Sequence, residues 1–289
     1  MARVSFMGLR RVLITIGWVL VFVFIGGVTT YGLFVFVPEW GGQRWFIARN
    51  GIYQLIGFGL ATIVVGRLLN KRSWERMGWQ TDPTHGGSFL RLLRGTGLGA
   101  LMAALAVALA FAFDGAQVRV LFDWGFWLSV SLPLAVGLLA AALSEELMFR
   151  GYPLRRLSDG IGALPAMLLV TLGFALAHAD NPNVSKLALL NIFLAGVWLS
   201  FAFFSTGGML FAWGAHFGWN AALAIAFDAP VSGYKFQVPM VEYTPGRHVW
   251  VDGGPFGPEG GIVTTIVLIA GTLAVIGKRV KQPRTWLAG

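Results

Sequence analysis

Apolar residues in this chain run in long unbroken blocks instead of alternating or recurring as one stripe. Eight stretches, at about 12–37, 50–69, 95–113, 124–148, 162–179, 184–205, 209–228 and 261–277, reach or approach the roughly 20 residues that cross a bilayer. In hydrocarbon the backbone must satisfy its own hydrogen bonds, so each block is predicted to be a helix. The pattern predicts an all-α polytopic transmembrane helix bundle of about eight spans, read as a single membrane domain over 1–289. The first block follows Arg3, Arg10 and Arg11 as a signal peptide would. At about 26 residues, and without a small-residue cleavage site, it reads as a retained span.

Two connections are long. The one from about Asn70 to Arg94 carries Trp74, Trp79 and mixed charge, which suits an amphipathic segment lying on the inner leaflet. The one from about Ala229 to Gly260 is rich in Gly and Pro and is expected to be either a lid or binding loop or a solvated connector. Gly95, Gly97 and Gly99 read as a close helix-packing face.

Composition narrows the class. Hydrophobic residues make up 56% of the chain and charged residues 12%, about half the usual share. With a mean hydropathy of +0.69, this excludes a water-soluble, disordered or collagen-like chain. The net charge of +9 follows the predicted topology: sixteen of the 22 Lys and Arg fall on the side of the termini. By the positive-inside rule both termini are cytoplasmic, and the charge needs no nucleic-acid partner. With no Cys, disulfides, thiolate metal sites and cysteine nucleophiles are excluded.

Ionisable residues inside apolar blocks carry the functional information, because a charge at the centre of a span costs roughly 2.5–3.5 kcal/mol on insertion scales. The fourth block ends Ser144-Glu145-Glu146-Leu147-Met148-Phe149-Arg150. Positions four apart share a helical face, so Glu146 and Arg150 can pair while Glu145 points about 100° away. His178 closes the fifth block, and His216 and Asn220 share one face of the seventh. Taken singly, the acids could end a helix at the headgroups, His178 could be interfacial, and His216 with Asn220 could glue helices together. Taken together they predict an intramembrane polar cavity.

Glu with His can take a proton from water and return it to a leaving amine. A further histidine and an amide suit an oxyanion. No Gly-x-Ser-x-Gly, no His-Glu-x-x-His and no paired aspartates within the spans compete with that chemistry. Zinc held by Glu145, His178 and His216 is the alternative to a cofactor-free site. A proton-relaying transporter is a further alternative, although the repeat symmetry it predicts is not visible.

Glu145-Glu146-x-x-x-Arg150, then Phe174-x-x-x-His178, then His216-x-x-x-Asn220, resembles the CPBP family of intramembrane proteases, the group of type II CAAX prenyl endopeptidases and abortive-infection-like bacterial proteins. The resemblance covers about 132–228 as a catalytic core, and Gly253 to Gly261 is similar to a glycine-rich stretch of bacterial members. It implies Glu145 as general base assisted by His178, His216 and Asn220 as the oxyanion site, and Glu146 with Arg150 as a brace. It further implies a membrane-associated protein or peptide substrate, surrounding membrane lipid, residence in a bacterial cytoplasmic membrane and no required metal. A non-catalytic scaffold or immunity factor of the same fold is the other role that the resemblance allows.

One geometric condition follows. Sixteen residues separate Gly162 from His178, a rise of about 24 Å. Glu145 and His178 can meet only if the fourth helix continues past Pro153, tilts or kinks.

Overall fold

The computed structural model describes residues 2–79, 87–121, 124–205, 207–238 and 241–277. The chain order is α1 (Ala2–Phe36), α2 (Phe46–Ala61), α3 (Gly87–Asp114), β1 (Gln117–Val120), α4 (Trp124–Phe149), α5 (Tyr152–Ile161), α6 (Ala163–Leu176), α7 (Lys186–Phe203), α8 (Gly208–Ala221), β2 (Val241–Thr244), α9 (Val249–Asp252) and α10 (Ile262–Gly277). Wider π-helical turns prolong α2 over Thr62–Leu69 and α8 over Ala222–Ala226. Every predicted apolar block is helical. Among the described residues five helical stretches are long and apolar enough to cross a membrane, while α6 and α10 are apolar but shorter. Their lipid-compatible surface is plain on α1, where Leu13, Leu20, Phe24 and Tyr31 stand exposed. The chain is thus an all-α integral membrane protein.

Glu145 and His178 come together through the stretch 150–161. The N–H groups of Arg150 and Gly151 both bond to the Glu146 carbonyl, at 2.8 and 2.9 Å, which widens the turn. Pro153, lacking an N–H, then sits in the first turn of α5, where a missing donor costs nothing. The helical course resumes to Ile161, so the apolar stretch runs from Trp124 to Ile161 before Gly162 reverses it. Glu145 lies seventeen residues before that reversal and His178 sixteen after it. Two helical arms of nearly equal length, the first broken between Phe149 and Tyr152, therefore bring them to one cavity, which is one of the arrangements that the sequence allowed.

The connection from 229 to 260 is neither a structureless lid nor a solvated connector. β2 pairs antiparallel with β1, with Arg119 opposite Glu242. The following α9 and two 3-10 turns, Gly254–Phe256 and Pro258–Gly260, bury Val251, Asp252 and Phe256. Asp252 accepts from the Tyr243 hydroxyl at 3.3 Å, from the Gly254 N–H at 2.9 Å and from the Gly246 N–H. Burial beside Asp252 pushes the Tyr243 phenol well up from its ordinary value. Asp114, at the end of α3, accepts from the N–H of His248 and, at 2.6 Å, from its Nδ1. The glycines here are backbone requirements: Gly253 has φ +80° and a side chain on it would strike the Gly257 carbonyl oxygen.

The described part of the first long connection is likewise packed against the bundle. Met77 is fully buried, and the Gly78 carbonyl accepts from Met209 N–H at 2.9 Å. Residues 80–86 of that connection, and Lys278, Arg279, Lys281 and Arg284 of the orientation count, lie outside the described residues.

α3 and α8 touch backbone to backbone. A side chain on Gly95 or Gly99 would meet the Phe211 or Ala215 carbonyl oxygen, and one on Gly214 or Gly218 would meet that of Leu92 or Thr96. Gly97, grouped with Gly95 and Gly99 in the sequence, faces open space instead. Gly99→Ala is therefore expected to lower stability by roughly 1–3 kcal/mol, because only helix displacement relieves the clash. Gly97→Ala should be neutral or slightly stabilising. Thermal unfolding of the two variants in detergent checks this, and equal midpoints would contradict the packing assignment.

Candidate active site

The site is built around a charge with no exposure at all. Arg150 and Glu146 are both fully buried, and Arg150 Nη1 donates to Glu146 Oε1 at 3.2 Å. The Phe174 ring lies under the guanidinium, 4.3 Å from its carbon, and supplies cation–π attraction on the face that no carboxylate reaches. Phe174 also packs edge-on against Phe149 at 5.3 Å and against the imidazole of His178 at 4.8 Å between centroids. One aromatic thus spaces the arginine from the histidine.

Glu146 does more than brace Arg150. Its Oε1 also accepts from His216 Nδ1 at 2.9 Å. With the Nδ1 proton committed there, the neutral imidazole presents Nε2 as an acceptor. That atom stands 3.7 Å from Glu145 Oε2. Glu145 is 26% exposed and lines the cavity, while its Oε2 is buried against His216 and has no hydrogen-bond partner among the described residues.

His178 is held by its own backbone: its Nδ1 bonds to the Phe174 carbonyl at 2.8 Å, which frees Nε2. Glu145, His178, His216 and Asn220 all line one cavity of about 460 Å³. The structure therefore brings the four sequence candidates together, with Glu146 and Arg150 directly behind them. It differs from the expected arrangement in one respect. His216 is bonded to Glu146 through Nδ1 and faces Glu145 with Nε2, so it sits with the base instead of standing apart with Asn220.

Among the described residues no three His, Asp or Glu side chains are grouped closely enough to hold a metal ion. His216 Nδ1 and His178 Nδ1 are committed to Glu146 and to the Phe174 carbonyl.

Three further residues shape the cavity without belonging to any of the sequence motifs. Glu259, inside the glycine-rich stretch, accepts from Trp219 Nε1 at 2.8 Å and from the Ser232 N–H. Burial pushes its carboxyl up, against the pull of those two donors. Asn191 on α7 donates to the carbonyls of Glu259 and Gly261, both at 2.8 Å, and accepts from Thr265 at 2.6 Å. Gln54 of α2 accepts at 3.3 Å from Ser144, beside Glu145. An amide in the middle of the sixth apolar block is a readable signal, but a search confined to ionisable residues passes over it.

Fold and site together define an integral membrane protein with a buried acid–base cluster between its helices. Residues 126–222, about a third of the chain, match the family model described as Rce1-like, type II CAAX prenyl endopeptidase Rce1-like. Over that segment the chain is similar to the type II CAAX prenyl endopeptidases. The matched segment holds all six site residues and excludes the glycine-rich stretch with Glu259. No curated protein matches the chain.

Removing Arg150 leaves Glu146 as a buried, half-satisfied carboxylate. Arg150→Ala is expected to cost about 3–5 kcal/mol, as for one partner of a buried ion pair. A companion Glu146→Gln/Arg150→Met variant, which removes both charges, should recover much of that loss. Unfolding midpoints of the two proteins decide it, and a near-normal midpoint for Arg150→Ala would refute the brace.

Proposed function

We propose that this protein is an intramembrane endopeptidase that hydrolyses a peptide bond of a membrane-associated protein or peptide, using water activated by Glu145 and His216. The observation that carries the reading is the unpartnered Glu145 Oε2 facing His216 Nε2 across 3.7 Å, within a cavity that His178 and Asn220 also line. A water on the cavity side of Glu145 donates one hydrogen to its carboxylate and turns a lone pair to the substrate carbonyl carbon. Attack places the hydroxyl on that carbon and transfers one proton to the Glu145–His216 pair.

Glu146 accepts from His216 Nδ1 and is itself held by Arg150, so the imidazole that shares the proton is fixed from behind. Asn220 is the donor for the oxyanion, and His178, its Nδ1 proton held by the Phe174 carbonyl, presents Nε2 to the cavity as a further acceptor. The stored proton then passes to the amine nitrogen as the C–N bond breaks, so one water is consumed and two termini are formed. No metal takes part in this scheme. The membrane orientation proposed with it puts both termini in the cytoplasm, on the excess of Lys and Arg there.

Glu145→Gln preserves shape but removes the base. Cleavage should fall by roughly a hundred- to ten-thousandfold, the usual range for loss of a general base. The unfolding midpoint should stay near wild type. New protein termini in membranes that express wild type but not Glu145→Gln supply the test. Identical termini in both would overturn the reading in favour of a non-catalytic scaffold of the same fold.

Purified protein is further expected to keep its activity after exhaustive chelation, with well under one metal bound per chain. Loss on chelation that stoichiometric zinc restores would reverse the role given to the histidines.

A further inference from the structure

A second cavity, of about 920 Å³, lies at the other end of the α4–α5 arm, between the start of α1, the turn after α2, and α5. Six arginines line it: Arg10, Arg11, Arg72, Arg76, Arg155 and Arg156. Two acids, Glu75 and Asp159, accompany them, leaving a formal charge of +4 around one space. None of these residues belongs to the proteolytic site.

The cations are only partly compensated from within. Asp159 serves two of them, its carboxylate bonding to Arg72 Nη2 at 2.6 Å and its carbonyl to an Arg11 guanidinium. Arg155 is propped against aromatic faces, its guanidinium 5.1 Å from the centroids of both Phe203 and Phe204. The Nε atoms of Arg155 and Arg156 are buried and have no hydrogen-bond partner among the described residues. The cavity wall is fixed, because Thr15 of α1 lies where any side chain on Gly160 of α5 would have to go, 2.6 Å from its Cβ position.

The chemistry points to one ligand class. Every cation is arginine, whose planar fork matches the oxygens of a phosphate two at a time. Clustered like charges cost energy until an anion enters. The rim indicates how that anion arrives. Ile14, a wall residue, is 44% exposed, and Leu9 and Leu13 beside it are also exposed apolar residues on α1. A basic pocket bordered by a lipid-facing helix suits a phosphate that carries acyl chains.

We propose that this cavity binds the phosphate headgroup of an anionic phospholipid, which ties α1 to α5 and to the turn after α2. The test uses the full-length protein purified in a neutral maltoside detergent, with its unfolding midpoint followed by tryptophan fluorescence. Cardiolipin, phosphatidylcholine and inorganic pyrophosphate are titrated separately. Cardiolipin is expected to raise the midpoint saturably, by several degrees at full occupancy, and phosphatidylcholine to leave it unchanged.

Arg10→Gln/Arg76→Gln neutralises two exposed members without touching the buried ones. It should weaken the cardiolipin response roughly tenfold or more. Native mass spectrometry should detect a co-purified anionic lipid on wild type and lose it in the double variant, a readout that does not depend on unfolding. Equal shifts from phosphatidylcholine and cardiolipin, or an undiminished response and retained lipid in the double variant, would overturn the site. A pyrophosphate shift as large as that from cardiolipin would overturn the lipid source and assign the pocket to a soluble phosphate compound.

Discussion

Everything near the cavity depends on accommodating one guanidinium where water does not reach. Arg150 has no exposure, so its charge must be met by Glu146 on the same helix and by the Phe174 face from α6. Those two demands fix much else. Glu146 must stay in place beside the guanidinium, which makes it a firm acceptor for His216 from α8. Phe174 must lie flat under the guanidinium, which sets where the next helical turn delivers His178. A cation that is costly in an apolar bundle therefore ties α4, α6 and α8 into one arrangement.

The backbone contacts act in the same direction. α3 and α8 approach so closely at Gly99 and Gly214 that His216 is positioned by main chain pressed on main chain, with few rotamers involved. On the opposite wall, Asn191 clamps the Glu259 turn through two carbonyls. The cavity is thus bounded by elements packed on one another, the condition for holding side chains in a fixed geometry.

Much of this is legible in the amino-acid order itself. The apolar blocks dictate helices because a bilayer leaves the backbone no other solution. The Glu145–Glu146–Arg150, His178 and His216–Asn220 groups stand out because each is expensive where it sits. The condition on Glu145 and His178 is legible too, and the helix past Pro153 meets it. What stays hidden in the sequence has a common cause. The engagement of His216 with Glu146 depends on the rotation of α8 about α4, which no local pattern encodes. The connection after α8 reads as a lid or binding loop or a solvated connector because it is long and rich in Gly and Pro, whereas here those residues permit tight turns over Asp252 and Glu259. Gly97 reads like its neighbours although only its alternates, Gly95 and Gly99, face α8.

The two arms that join at Gly162 have an arithmetic consequence. Glu145 and His178 share a depth because seventeen residues descend and sixteen return. Inserting one residue in either arm would advance its end by about 1.5 Å and swing it by about 100°. The carboxylate or the imidazole would then turn from the cavity towards a neighbouring helix or the lipid. The stretch from Glu146 to His178 is for that reason a ruler as well as a scaffold. Substitutions can accumulate along its lipid-facing side, on Leu164, Leu168 and Leu172, while its length in residues tolerates no change.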